Sequence, residues 1–481
     1  MPTTTTSSRP PASSRPAPVT PAPVTPASPA PSASPTALIA SLLGFAVITI
    51  DVSAVNIALP AIGSSLHAGM SGLQWVVDAY TLMFAALMMS AGALADRSGA
   101  RRAYAWGIAL FTLASLGCAV APGTGALIGA RLAQGAAAAV VMPASLALIR
   151  QAYDDPARRA RAIALWTVGG SVSLAAGPVL GGILTEQAGW RAVFLLNLPV
   201  GAVVLALLAR TAPSPRRPSP LDPAGQLTAV LALAGLTYTA IEGGRRGWTS
   251  VPVLAALAVA AGAAVAFHAV EKRHRAPMVP LGMLRERRVV VPLLAGFAAN
   301  AAFYGVVFLL GLYYQQVRGM TPTEAGLMFV PLAAVTAGAN LLSPRLAERA
   351  GRRAVIVLGQ AVMALAMAAL LPLAADTPLW LVLLLLVPTG VGGALAVPAL
   401  TALLMDAVPG HRAGTASGLF NAVRQTGGAL AVAVFGALIA SGGGEEGLSL
   451  AGMRGSLYAV GGLLCLTTLL TAWLLRRERA A

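Results

Sequence analysis

Three ionisable residues, Asp51, Asp78 and Arg131, stand inside long apolar stretches of the chain, where a charge is expensive to keep and is generally kept for a use. Counted from the nearer end of its stretch, Asp51 is about nine residues in, Asp78 about five and Arg131 about six, or roughly 8 to 14 Å at 1.5 Å per residue. Desolvation at such a depth favours a neutral carboxyl, whereas a neighbouring guanidinium favours the charged form. A rearrangement that changes the pairing could therefore load and release a proton. Asp51 is the first candidate for that carrier. Asp78 lies close enough to the end of its stretch to be simply solvated, and Arg131 is either a working partner or a static structural one.

A second polar group lies late in the chain. Asn421, Arg424 and Gln425 fall on one helical face, and Asn300 and Tyr304 stand four apart in an earlier stretch. Arg424 is about eleven residues into its run, near the middle of a membrane-length helix, where an unpaired cation is hard to keep and has to face a cavity. These five residues make a polar lining for an otherwise apolar substrate pocket. A hydrogen-bonded cluster between two helices would give the same pattern.

Other chemistries lack their residues. An ATP-driven pump needs a phosphate-binding loop with a lysine, but Lys272 is the only lysine and no glycine-rich loop precedes it. His67, His268, His274 and His411 are scattered over different loops and span ends, so neither a nucleophile with its base nor a set of metal ligands is in view. Cys118 and Cys465 both fall within apolar runs and read as packing residues. The chain is expected to be no enzyme and to need no metal or cofactor, with a proton gradient as its energy source.

The elements that must carry these residues are membrane helices. The 481 residues are 57% hydrophobic and only 10% charged, and the apolar residues come in runs of about twenty, enough for a helix to cross roughly 30 Å of hydrocarbon. Fourteen spans are expected, near 37–60, 73–95, 102–121, 125–149, 161–185, 191–209, 223–242, 250–270, 289–312, 324–344, 353–374, 378–405, 413–440 and 455–475. Residues 1–36, rich in Pro, Ser, Thr and Ala, are expected to form a disordered tail. A cleavable signal peptide is not expected, because the first apolar run is full-length and carries Asp51.

The net charge of +16 follows the loops. Arginine-rich clusters within 97–102, 150–161, 210–217, 272–288, 345–353 and 476–479 alternate with loops that hold only Arg191, Arg245, Arg246, Arg318 and Arg454. Such alternation is a topology signal, which puts the rich loops and both termini on the cytoplasmic side of a cell membrane. It argues against nucleic acid as a partner.

One polar loop occurs twice. "LADRSGARR" at 94–102 aligns with "LAERAGRR" at 346–353, matching Leu94 with Leu346, Asp96 with Glu348, Arg97 with Arg349, Gly99 with Gly351 and Arg101 with Arg353. The copies are eight spans apart, so two extra spans sit between two six-span halves. The expected organisation is a tail at 1–36, a six-helix bundle at 37–210, a linker with two helices at 211–288, a second bundle at 289–475 and a short tail at 476–481. Two repeats rocking about a central site describe an alternating-access transporter.

These residues carry a resemblance to a known family. "IDVSAVNIALP" (50–60), "GALADRSGARR" (92–102), "RLAQG" (131–135), "GPVLGG" (177–182), "GWRAVFLLNLPVG" (189–201), "GLYYQQVRGMTPTEAGL" (311–327) and "GTASGLFNAVRQTGGAL" (414–430) together resemble the fourteen-span drug:proton antiporters of the major facilitator superfamily, the EmrB/QacA type. The resemblance implies an all-α membrane fold and the proton-driven export of amphipathic drugs or antibiotics, with the bilayer and protons as partners and a monomer as the working unit. A proton-coupled uptake symporter of the same fold is the alternative. Within the loop, the likeness implies that Gly92, Asp96, Arg97, Gly99 and Arg101 form a conformational latch across the gap between the halves; a pure topology role for the arginines is the plainer alternative. The fifth-span motif, Gly177, Pro178, Gly181 and Gly182, is the one characteristic of antiporters. With Gly170 and the small Ser173 it keeps one helical face open to a close neighbour that would seal the site.

Overall fold

The structure is a computed structural model that describes residues 35–216, 222–274, 277–409, 412–441 and 449–475. Residues 1–34 of the tail expected over 1–36, the tail at 476–481, and His411 lie outside the described residues, while Pro35 and Thr36 already belong to the first helix.

The described chain folds into sixteen α-helices. The first seven are α1 (Pro35–Leu66), α2 (Met70–Ser98), α3 (Ala100–Ala119), α4 (Thr124–Ala152), α5 (Pro156–Ala188), α6 (Arg191–Leu195) and α7 (Asn197–Ala209). A pair follows, α8 (Pro223–Arg246) and α9 (Val251–Arg273). The last seven are α10 (Arg287–Leu312), α11 (Pro322–Leu327), α12 (Val330–Ala350), α13 (Arg352–Ala369), α14 (Leu379–Asp406), α15 (Ala413–Ser441) and α16 (Leu450–Leu474). Thirteen segments are long and apolar enough to cross a membrane. The remaining expected span is α3, whose 20 residues reach about 30 Å at 1.5 Å per residue.

Two expected spans are interrupted, each for the same reason. A proline cannot donate to the carbonyl four residues earlier. Pro199 leaves Leu195 unbonded, and α6 ends at Leu195; Pro331 leaves Leu327 unbonded, and α11 ends at Leu327. Other helices run past their apolar cores, because a polar residue outside the hydrocarbon still completes a helix. The helix α5 begins at Pro156, five residues before the expected span, where the Asp155 carboxylate caps the Arg158 backbone N–H at 2.7 Å.

Helices α1 to α7 pack among themselves, with α4 against α1, α2 and α3, and α1 against α5 and α7. In the second set α10 lies against α14, α15 and α16, and α13 against α14 and α16. Between the sets, α2 runs along α15 while α5 meets α11 and α12. Since α2 corresponds to α12 through the repeated loop, these are one contact made twice with the halves exchanged. Helix α8 leans on α2 and α15, whereas α9 makes its extended contact with α8 alone among the described residues.

The repeated loop has one backbone geometry in both copies. Gly99 adopts φ 86° and ψ 133°, and Gly351 adopts φ 85° and ψ 145°, a region that favours glycine. Two residues on, Arg101 Nε donates to the Leu208 carbonyl at 2.9 Å, at the end of α7, and Arg353 Nη2 donates to the Ala472 carbonyl at 2.9 Å, at the end of α16. Each arginine thus bonds to carbonyls near the C-terminal end of the last helix of its own half.

Candidate functional site

Asp51, in the middle of α1, is completely buried and held by three donors from two other helices. Arg131 Nη1 of α4 lies 2.5 Å from Oδ2, Asn197 Nδ2 of α7 donates to Oδ1 at 2.8 Å, and Gln134 Nε2 of α4 reaches Oδ1 at 3.3 Å. The guanidinium is fixed in turn: its Nε donates to the Val76 carbonyl at 3.0 Å, Nη1 donates to Gln134 Oε1 at 2.9 Å, and the group stacks 4.4 Å from the centre of the Tyr80 ring. Ser115 of α3 accepts from Gln134 at 2.7 Å and from Asn197 at 3.1 Å, and the Cys118 thiol donates to Gln134 Oε1 at 3.2 Å. The Asp51 carboxyl group thus meets three side-chain donors, one of them a guanidinium.

Asp78 has the opposite surroundings. Its side chain is 0% exposed, and neither carboxyl oxygen has a hydrogen-bond partner among the described residues. The solvated reading therefore fails: five residues from a helix end is shallow along α2, but neighbouring helices cover that turn. The two carboxyl groups thus differ: Asp51 meets three donors and Asp78 none among the described residues.

In the second half, Arg424 bridges α10 and α15. Its Nη2 donates to Asn300 Oδ1 at 3.0 Å and its Nη1 reaches Asn421 Oδ1 at 3.4 Å, while Asn300 Nδ2 donates to Gln425 Oε1 at 3.0 Å. The five polar residues expected to line a pocket thus include a hydrogen-bonded network of four. Tyr304, one turn beyond Asn300, lies within electrostatic reach of Arg424 and Tyr80 and faces a cleft between the halves. That cleft, lined also by Asn56, Phe303, Phe329, Thr336 and Asn340, encloses about 660 Å³ of empty space, part of it open to solvent. None of its lining residues is charged.

Helix α5 closes one wall. A methyl group on Gly177 would lie 1.7 Å from Ser53 Oγ, and one on Gly181 2.7 Å from the Ala54 backbone, so α1 and α5 touch through these glycines. Gly170 meets the Phe45 ring in the same way, and Ser173 turns its hydroxyl back onto the Gly169 carbonyl at 2.7 Å. Gly182 faces the other half, where an added methyl would stand 2.3 Å from the Pro322 carbonyl; reciprocally, one on Gly326 would stand 2.3 Å from the Pro178 carbonyl. Pro178 has no N–H to offer Leu174, and both line the cleft.

Residues 41–432 match the Major Facilitator Superfamily. The chain belongs to that superfamily. It is 37% identical over 409 residues to a methylenomycin A resistance protein of Streptomyces coelicolor, covering 85% of this chain and 86% of the relative. It is 39% identical over 406 residues to a multidrug resistance protein, Stp, of Mycobacterium tuberculosis, covering 84% and 75%. A crystal structure of a peptide transporter superposes with a TM-score of 0.68 over 92% of this chain and 95% of that one; at 15% identity it shares the fold. The protein is therefore a multi-pass membrane transporter and not an enzyme.

Among the described residues, no hydrogen bond or ion pair joins the loop at 92–102 to the other half. Asp96 and Arg97 are exposed, and Asp96 makes no ion pair among the described residues. A methyl on Gly92 would meet nothing within 4 Å, whereas one on Gly99 would meet the Ser214 carbonyl at 2.9 Å. The Arg101 backbone N–H donates to Ser214 Oγ at 3.0 Å, on the strand of chain leaving α7. The loop thus braces its own half. Sequence reasoning passed over Gln134, Asn197 and Ser115, and read Cys118 as a packing residue. A search for uncharged polar residues inside apolar runs would have found these three, with the amides of Gln134 and Asn197 the stronger signal; Cys118 carries no signal apart from its neighbours.

Proposed function

We propose that the protein exports amphipathic drugs or antibiotics from the cell in exchange for protons, as a fourteen-span antiporter with a six-two-six arrangement. Its relatives' names, methylenomycin A resistance and multidrug resistance, support the cargo. The peripheral α8–α9 pair between two internally packed sets supports the arrangement, and the arginine-rich loops support cytoplasmic termini in the cell membrane. One observation carries the coupling: a buried carboxyl without a donor, Asp78, lies in the same half as a buried carboxylate saturated with donors, Asp51. Burial without a partner is tolerable for a carboxyl that holds its proton. In the proposed cycle Asp78 carries the proton in this conformation, and Asp51 accepts one when a movement of α4 withdraws Arg131.

The test uses proteoliposomes with an imposed pH gradient, a panel of amphipathic antibiotics and an internal pH dye. Wild-type protein should accumulate a transported compound while protons move the other way. Asp78→Asn, a neutral and nearly isosteric change, should lose gradient-driven accumulation and retain exchange of compound down its own gradient. Protons and compound moving together would make the protein a symporter, and accumulation by Asp78→Asn equal to wild type would remove Asp78 from the coupling.

A further inference from the structure

We infer that Arg424 is the docking point for an acidic group on the transported compound, so that the cargo is an amphipathic organic anion. The inference rests on the export reading and narrows it to a chemical class. A guanidinium has five N–H donors. Arg424 spends one on Asn300 and one, over a long 3.4 Å, on Asn421, and its buried Nε has no acceptor among the described residues. Both partners are neutral amides, which aim the planar fork without cancelling its charge. Arg131 makes the contrast: it is fully buried where Arg424 is partly exposed, and its charge is met by Asp51 at 2.5 Å. No carboxylate pairs with Arg424 among the described residues. A cation left uncompensated among membrane helices is costly, and a carboxylate or sulfonate arriving in two-point contact would compensate it.

The surroundings fit such a ligand. Tyr304 lines the cleft and lies within electrostatic reach of Arg424, which stands behind that lining, and the Phe420 ring lies 5.5 Å from the guanidinium carbon. The cleft wall is aromatic and aliphatic, with the amides of Asn56 and Asn340 and no acidic side chain. A cationic amphiphile would find an apolar wall and no counter-charge, and would be repelled by Arg424. An acid would place its apolar body against Phe303 and Phe329 and its charge toward the fork.

The experiment measures binding of three naphthalene probes, 2-naphthylacetate, its carboxamide and 2-naphthylethylammonium, to the full chain in lipid nanodiscs by calorimetry. The acid should bind about ten-fold more tightly than the amide, the size of one charge-assisted contact, and the ammonium most weakly. Arg424→Gln should reduce the acid to the level of the amide while amide binding stays unchanged; Arg424→Lys should keep part of the preference. If Arg424→Gln does not fold, Asn300→Ala, which releases the fork, should lower the acid preference alone. Equal or tighter binding of the ammonium, an acid preference that survives Arg424→Gln, or binding of none of the three would overturn the inference. A parallel transport assay separates the two readings. Export of neutral or cationic antibiotics without any preference for acids would leave the exporter and remove the anion site, whereas Arg424-dependent binding of the acid without transport of any compound would do the reverse.

Discussion

At Asp51 and Arg131 the geometry sets a stability cost as well as a function. Taking two charges out of water is expensive, and the cost is offset by the attraction of the pair and by the added bonds from Asn197, Gln134 and the Val76 carbonyl. Removing one partner strands the other in the same dry site, at about 3 to 5 kcal/mol. Arg131→Met should therefore lower the melting temperature of the detergent-solubilised protein sharply, and Asp51→Asn should do the same by orphaning the guanidinium. Combining the two neutral replacements removes the stranded charge, so the double variant should melt higher than the sum of the single losses predicts. Additive losses in this four-protein comparison would show that the two groups are not energetically coupled. Asn197 and Gln134 bring two further donors to the Asp51 carboxyl group, which is why their absence from a charge-based reading of the sequence matters.

Among the elements, α5 is constrained on both faces. Gly181 lies against the Ala54 backbone and Gly182 against the Pro322 backbone, and backbone cannot rotate away as a side chain can. Gly181→Ala and Gly182→Ala should thus each reduce transport and lower the melting temperature, whereas Gly262→Ala on α9, where an added methyl meets nothing within 4 Å, should be neutral or slightly stabilising through helix propensity. Melting curves and uptake assays on the three variants check this; a harmless Gly181→Ala would mean that the α1–α5 contact yields easily. The glycine spacing made this face legible in advance, as apolar length did for the spans. Asp78 was misjudged because distance along a helix measures depth in the bilayer, while burial is set by which neighbours cover that turn. The breaks at Leu196 and Met328 stand before Pro199 and Pro331, but a proline alone does not place a break, since Pro143, Pro178 and Pro388 sit inside continuous helices. The path of the Arg101 side chain could not be read in advance, because it depends on where α7 ends in space.

On the scale of the whole molecule, the contacts between halves gather at the arginine-poor end. Gln74 Nε2 donates to the Ala433 carbonyl at 2.5 Å and Gln315 Nε2 donates to the Ile57 carbonyl at 2.9 Å. The Thr323 backbone N–H donates to Glu186 Oε2 at 3.2 Å, beside the interlocked Gly182 and Pro322. At the arginine-rich end, Arg101 and Arg353 bond within their own halves, and α4 makes no extended contact with any helix of the second set among the described residues. A transporter that exposes its cleft alternately has to part the first group of contacts and join the far ends instead. Two cysteines at Glu186 and Thr323, in a chain carrying Cys118→Ser and Cys465→Ser, should therefore form a disulfide on mild oxidation. Once linked, the arginine-poor end cannot open, so transport should stop and return on reduction, while each single-cysteine protein should be indifferent to oxidant. The mass of the oxidised protein reports how complete the link is. Undiminished transport by fully linked protein would mean that this end stays shut throughout the cycle, and the parting of the halves would then have to be sought along α2 and α15.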